Sequence, residues 1–201
     1  MAVLSEAEPR IAAIVLAAGR SSRMGQQNKL LADIGGKPMV RHTVEAALAS
    51  RAAPVVVVTG HMAAEVAAAL NGLDVMLAAN PDYATGLASS LKAGLRALQG
   101  KQDGILVLLG DMPYIARGHI DRLIEAFSPD AIVVPTHVDR IGNPILWPGR
   151  YFPELLHLEG DAGAKRLVGT HAAHLRKIDL ATDAIFVDID TPEALADTRD
   201  R

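Results

Sequence analysis

Arg23 and Lys29, six residues apart, stand at the end of Leu16-Ala17-Ala18-Gly19-Arg20-Ser21-Ser22-Arg23-Met24-Gly25 and just beyond it. The segment leaves an apolar run and is otherwise built of small residues. Ala17, Ala18 and Gly19 put little or no side chain between the backbone N–H groups and an approaching phosphate oxygen. An arginine fork grips two such oxygens, whereas a lysine is a compact point charge. The combination is that of an anion-binding loop, with Arg20 and Ser21 as further donors. It is neither of two common phosphate loops. Gly19 and Gly25 do not reproduce the three-glycine dinucleotide spacing, and Gly25 is followed by Gln26 rather than by the lysine of a P-loop.

Carboxylates form the second set. Asp111 closes the run Leu108-Leu109-Gly110-Asp111-Met112-Pro113, at a strand end where open α/β sheets present residues to ligands. The bland alternative is an Asp-initiated turn enforced by Pro113. Asp188 and Asp190, in Asp188-Ile189-Asp190-Thr191-Pro192-Glu193, fall on one side of an extended chain. Here Asp190 or Thr191 equally well caps a final helix. A hard divalent ion takes few protein carboxylates, completing its shell with phosphate oxygens and water, so Asp111 with Asp188 or Asp190 suffices as a metal site.

A third group surrounds these. Asn80-Pro81 precedes Gly86-Leu87-Ala88-Ser89-Ser90-Leu91, in which Ser89 and Ser90 suit the start of a helix whose N-terminal amides favour an anion. Further on stand Arg140-Ile141-Gly142-Asn143-Pro144 and Glu159-Gly160-Asp161-Ala162-Gly163-Ala164-Lys165. Their glycines serve turns in the simplest reading, and Asp161 a helix cap. Trp147, Tyr151 and Phe152, set among prolines, fit a small core better than a stacking platform. The seven histidines show no ligand-pair spacing.

The elements that must hold these residues follow from hydrophobic periodicity. Short β-branched runs predict strands over 11–17, 54–59, 74–78, 105–109 and 131–135, and amphipathic alanine-rich stretches predict helices over 38–50, 62–70, 89–98 and 119–127. Such βαβ alternation implies a mostly parallel sheet with helices on both faces. After Pro135 the pattern breaks, predicting a small insertion roughly over 137–170. A helix over 161–168, strands over 173–178 and 185–187, and a helix begun by Thr191 and Pro192 complete the reading of a single domain over 1–201.

Composition bounds the function. The 201 residues are 50% apolar and 21% charged, with net charge −3 and no cysteine. A chain of this length buries roughly 70% of its unfolded surface and needs no disulfide or structural metal. The absence of cysteine excludes thiolate sites and accords with a reducing cytoplasm. No dense basic tract points to nucleic acid, and no apolar run approaches the roughly 20 residues of a membrane span. Glu6 and Glu8 near the start are unlike the basic region of a secretion signal.

The loop from Leu16 to Lys29 resembles the L-A-A-G-x-S-x-R-M-G-x-x-x-K signature of the molybdopterin nucleotidyltransferase family, and the elements at Asn80, Gly86, Gly110, Asn143, Asp161 and Asp190 follow in that family's order. The likeness is to its CTP-using branch, the molybdenum cofactor cytidylyltransferases, because Ala17-Ala18-Gly19 stands where GTP-using relatives carry alanine and two glycines. Two departures are Ile141, which separates Arg140 from Gly142, and Lys165 in place of arginine.

The resemblance implies a Rossmann-like three-layer α/β/α nucleotidyltransferase fold with a small acceptor-side insertion. It implies transfer of CMP from CTP to the terminal phosphate of a molybdopterin-type cofactor, with Mg²⁺ or Mn²⁺ and release of pyrophosphate. Arg23, Lys29 and Asp111 would be catalytic. Leu16, Ala17, Ala18, Gly19, Arg20, Ser21, Asn80, Gly86, Ser89, Ser90 and Gly110 would line the nucleotide. Met112, Pro113, Gly142, Asn143, Pro144, Gly160 and Asp161 would face the acceptor. A recipient molybdoenzyme is the implied partner. GTP in place of CTP, a sugar or alcohol phosphate as acceptor, and a non-catalytic cofactor carrier are the competing readings.

Overall fold

A computed structural model describes residues 8–20, 28–161 and 163–189. Strand β1 (Ile11–Ala17) is buried along its whole length. A strand so completely apolar is stable only between two covering layers. Its alternate side chains serve both: Ile11, Ala13, Val15 and Ala17 join one core, and Ala12, Ile14 and Leu16 the other. Full burial of one such isoleucine or leucine contributes about 1.5–3 kcal/mol.

The chain continues through a short hairpin of β2 (Asp33–Ile34) and β3 (Lys37–Pro38), helix α1 (Met39–Ala49), β4 (Val55–Thr59), α2 (Ala63–Ala69) and β5 (Met76–Ala79). There follow α3 (Leu87–Ala97), β6 (Gly104–Leu109), α4 (Arg117–Glu125) and β7 (Ile132–His137). The last described elements are β8 (Arg140–Ile141), β9 (Ile145–Pro148), α5 (Phe152–Leu156), α6 (Gly163–Thr170) and β10 (Leu175–Asp179). The main sheet runs β10-β7-β9-β6-β1-β4-β5, with β8 beside β7. Val40, Val44, Val66, Ile120 and Leu123 of α1, α2 and α4 cover one face; Leu91, Leu155 and Val168 of α3, α5 and α6 cover the other. This is the expected three-layer α/β/α arrangement.

All pairings along β10-β7 and β6-β1-β4-β5 are parallel, whereas β9 is antiparallel to both β6 and β7. Residues 137–170, expected as an insertion, therefore contribute β9 to the middle of the sheet. Trp147, fully buried, packs there, and its ring meets Tyr151 edge-on at 6.2 Å. The expected strand over 185–187 is instead a 3₁₀ turn, Asp183–Ile185, because the Thr182 hydroxyl accepts a hydrogen bond from the Ala184 N–H and caps it. The expected helix from Thr191 lies outside the described residues.

Register places the chemistry. Leu16 pairs with Leu109 and Ala17 with Thr59, so the loops after β1, β4 and β6 leave the same edge of the sheet. Helix α3 reaches that edge because Gly94 lets it press onto β1: a Cβ there would lie 2.5 Å from Ile14 Cγ2 and 3.0 Å from Val58 Cγ2.

Candidate active site

At this edge a cavity of about 500 Å³ opens, lined in part by Leu16, Ala18, Gly19, Arg20, Lys29, Gly86, Ser90, Asp111 and Asp161. These nine expected site residues are brought to it by the fold from segments up to 145 positions apart in sequence.

Its floor is an ion pair. Lys29 begins a 3₁₀ turn, Lys29–Leu31, whose preceding residue Asn28 accepts a hydrogen bond from the Leu30 N–H through its side chain. From there Lys29 Nζ donates to Asp111 Oδ2 at 2.5 Å, with side chains 13% and 17% exposed. The backbone under Asp111 is fixed on both sides: the Gly110 N–H donates to the Leu16 carbonyl at 3.0 Å, and the Asp111 carbonyl accepts from the Ile189 N–H at 3.2 Å. Asp111 Oδ1 is buried and has no hydrogen-bond partner among the described residues.

The walls come from two directions. Gly19 and the exposed Arg20 continue the strand end, with the Arg20 guanidinium 5.7 Å from the centre of the Tyr83 ring. Opposite them, Asn80 holds the approach to α3: its Nδ2 donates to Ser89 Oγ at 2.8 Å and Ser90 Oγ at 3.0 Å, while its Oδ1 accepts from the Asp82 N–H. Asn80 and Ser89 thus position the helix start, and Ser90 faces the cavity. Gly86 has φ +115°, and a Cβ there would lie 2.5 Å from the Gly160 carbonyl carbon and 2.7 Å from Asp161 Oδ1. The Ala88 N–H also donates to the Gly160 carbonyl at 3.2 Å. Gly160 accordingly docks the 160–161 segment on α3, bringing Asp161 to the cavity.

A second, more apolar recess of about 210 Å³ adjoins the first and shares Leu16, Leu87, Leu109 and Asp161 with it. Asn143, Ile145, Trp147, Ala164 and Lys165 form its remaining polar and apolar walls, together with Leu91 and Val107. Of the residues expected at an acceptor, Asn143 and Asp161 line this recess. Met112, only 2% exposed, belongs to the core under α1, and Pro113 beside it is buried; neither lines a cavity. Gly142 packs against Ile185 and donates its N–H to the Pro135 carbonyl, which fixes the turn that presents Asn143. Pro144 is buried next to it. Ala17 and Gly110 are likewise buried behind the floor.

Ser21, Arg23 and Asp190 lie outside the described residues. Asp188 is exposed, one residue from the Ile189 N–H that bonds Asp111. Among the described residues no three histidine, cysteine or carboxylate side chains converge. The fit to a divalent ion therefore rests on the buried, unpartnered Oδ1 of Asp111 and on oxygens a phosphate would bring, the sparse ligand set usual for Mg²⁺. Tyr83, Ala84 and Leu87 are wall residues absent from the expected set; the signal available for them is their position just before and after Gly86.

A model of the MobA-like NTP transferase domain matches residues 13–176. Over 200 residues the chain is 32% identical to Purine catabolism protein PucB of Bacillus subtilis, covering 92% of this chain and 94% of that protein. Among solved structures, a nucleotidyl transferase from Methanothermobacter thermautotroptrophicus (Mth528) superposes with a TM-score of 0.84 at 27% identity, over 95% of this chain and 96% of that one. Rv0371C of Mycobacterium tuberculosis H37Rv, in complex with manganese, gives a TM-score of 0.80 at 26% identity over 95% and 98%.

Proposed function

The chain belongs to the MobA-like NTP transferase family, and from that premise we propose that it moves CMP from CTP to the terminal phosphate of a molybdopterin-type cofactor and releases pyrophosphate. The observation that carries the reading is the Lys29–Asp111 pair at the floor of a cavity between a small-residue strand end and the start of α3. A cation and a carboxylate so placed answer the two needs of nucleotidyl transfer, charge neutralisation on the triphosphate and a ligand for a divalent ion.

The acceptor phosphate is already anionic, so no nucleophile from the protein is required. One of its oxygens forms a bond to the α-phosphorus of CTP as the bond from that phosphorus to the α–β bridging oxygen breaks, and pyrophosphate departs in line. The protein's part is positioning and charge. Lys29 neutralises triphosphate oxygens, Gly19 lets them approach the backbone, and Arg23, by its place in the motif, holds the departing pyrophosphate. Asp111, with Asp188 or Asp190, would hold Mg²⁺ or Mn²⁺, which when bound supplies further charge for the reacting phosphate. Manganese in the Rv0371C complex supports a divalent ion in this family.

CTP is favoured over GTP by Ala17-Ala18-Gly19, which stands where the GTP-using relatives carry alanine and two glycines. The adjoining apolar recess, with Asn143 and Lys165 at its polar side, suits a ring-bearing acceptor. Transient contact with a recipient molybdoenzyme belongs to the same reading. Among the described residues no helix is long and apolar enough to cross a membrane.

Pyrophosphate release tests this directly, measured with CTP, GTP and ATP, each with Mg²⁺, with and without molybdenum-loaded molybdopterin. Release with CTP that requires the pterin is the expected result. GTP-specific release changes the base, CTP-dependent release only with a sugar or alcohol phosphate changes the acceptor, and binding without release with any of them replaces the enzyme with a carrier.

A further inference from the structure

We propose that Tyr83 is a positioning residue for the triphosphate: its ring holds the Arg20 guanidinium at the cavity wall, so that the arginine meets incoming phosphates already oriented. The proposal rests on the nucleotidyl-transfer reading of the cavity and adds to it a residue from outside the small-residue loop.

Arg20 and Tyr83 line the cavity together. The guanidinium carbon lies 5.7 Å from the centre of the ring, inside the reach of about 6 Å over which an aromatic face attracts a cation. What holds the arginine decides what it can do. A carboxylate would cancel the charge that a triphosphate needs and would occupy the fork that grips its oxygens. A ring restrains the cation without neutralising it. A long, exposed side chain gives up much rotamer freedom when it closes on an anion, and a ring that already restrains it lowers that cost.

The ring itself is firmly seated. Tyr83 opens a 3₁₀ turn, Tyr83–Thr85, and the residue before it is tied down on both sides. The Asp82 N–H donates to Asn80 Oδ1 at 3.0 Å, and the Asp82 carbonyl accepts from the Thr85 N–H at 2.9 Å and from the Ser89 hydroxyl at 3.0 Å. The other support is Gly60, just past β4. A Cβ there would lie 2.6 Å from Tyr83 Cβ and 2.8 Å from Ala18 Cβ, so the bare glycine lets Tyr83 stand against the strand end that carries Gly19 and Arg20. His61 follows, its N–H donating to the Ala18 carbonyl at 3.2 Å and its ring 6.1 Å from that of Tyr83. The anchor is therefore rigid and the arginine is the part that needs holding.

The test is the binding of CTP and of inorganic tripolyphosphate, each with Mg²⁺ and without any acceptor, followed by titration calorimetry. R20Q is expected to weaken both by the same factor, about tenfold. Y83L is expected to weaken both by about threefold, and Y83F, which keeps the ring, to match the parent. In the R20Q background Y83L is expected to cost nothing more, because the ring acts only through the arginine. A Y83L loss confined to CTP would make the ring a platform for the base, and an undiminished loss in the R20Q background would make it act without the arginine; either overturns the proposal, as does Y83L binding like the parent. Should Y83L fail to fold, the parent carries the test through ¹⁵N-arginine spectra: the Arg20 Nε–H resonance is expected to be displaced by the ring before any ligand is added, and one at the position of a free arginine overturns the proposal. None of these readouts needs turnover. Absence of cytidylyl transfer with the Arg20–Tyr83 coupling intact therefore overturns the reaction and not the positioning, whereas transfer without the coupling does the reverse.

Discussion

At the scale of single residues, charge and geometry make different demands. Arg23 is assigned to the departing pyrophosphate, so R23A is expected to lower kcat by about 10²–10³-fold, the loss typical of removing one transition-state donor, with an unchanged melting temperature. Activity within a factor of two of the parent would count against that role. Met112 illustrates the limit of a motif. It lies between Asp111 and Pro113 in the sequence, yet its side chain fills the core and the neighbouring carboxylate alone reaches the cavity. Gly86 makes the geometric demand. With φ +115° and the Gly160 backbone 2.5 Å from any Cβ, G86A is expected to cost about 1–3 kcal/mol from backbone strain alone and to loosen the 160–161 segment. A fall in melting temperature accompanied by weaker CTP binding is the expected pattern; a melting temperature and a CTP affinity both equal to the parent's would refute the packing described.

At the scale of elements, α4 carries a pH-dependent cap. His119 Nδ1 accepts the Ala116 N–H at 3.1 Å, an interaction available only to the unprotonated ring. Burial first, and Arg122 second, hold the His119 pKa below its ordinary value of 6.5. A depressed value means that the stabilisation is fully present above about pH 6.5 and is lost as pH falls toward the folded-state pKa. Denaturant midpoints measured from pH 7.5 down to 5 are therefore expected to fall more steeply for the unaltered chain than for H119Q; parallel curves would exclude the cap as the cause. Asp121 on the same helix behaves in the same direction at lower pH. Burial raises its pKa, but the Arg51 N–H bond and the Arg117 side chain more than offset this and leave it below 3.8.

Elements were also the scale at which the sequence spoke most clearly. Ile11–Ala17 is apolar at every position and Val55–Thr59 at all but its last, and such runs mark strands covered on both faces. β9 is harder to read, because Pro144 and Pro148 bracket only three residues and look like loop punctuation, while its pairing depends on β6 and β7, distant in sequence. The site was legible in the same uneven way. Lys29 and Asp111 could be chosen by type and by strand-end position, but their contact spans 82 residues. The packing of Gly86 on Gly160 likewise had no local signal.

At the scale of the whole molecule, the sheet is completed out of order. β7 is made before β9, yet β9 separates it from β6. While the chain is known only as far as residue 144, the inner edges of β6 and β7 face each other across a gap one strand wide, each with unpaired N–H and C=O groups. A fragment ending there is expected to aggregate at concentrations where the full chain stays monodisperse in sedimentation, and a monodisperse fragment would show that the gap closes some other way. The same gap is where Asn143 and Trp147 later sit, bordering the recess beside the Lys29–Asp111 floor. The strand that seals the sheet is therefore also the one that builds the recess, and a newly synthesised molecule has no such recess to offer an acceptor until its own folding has removed its most adhesive edges.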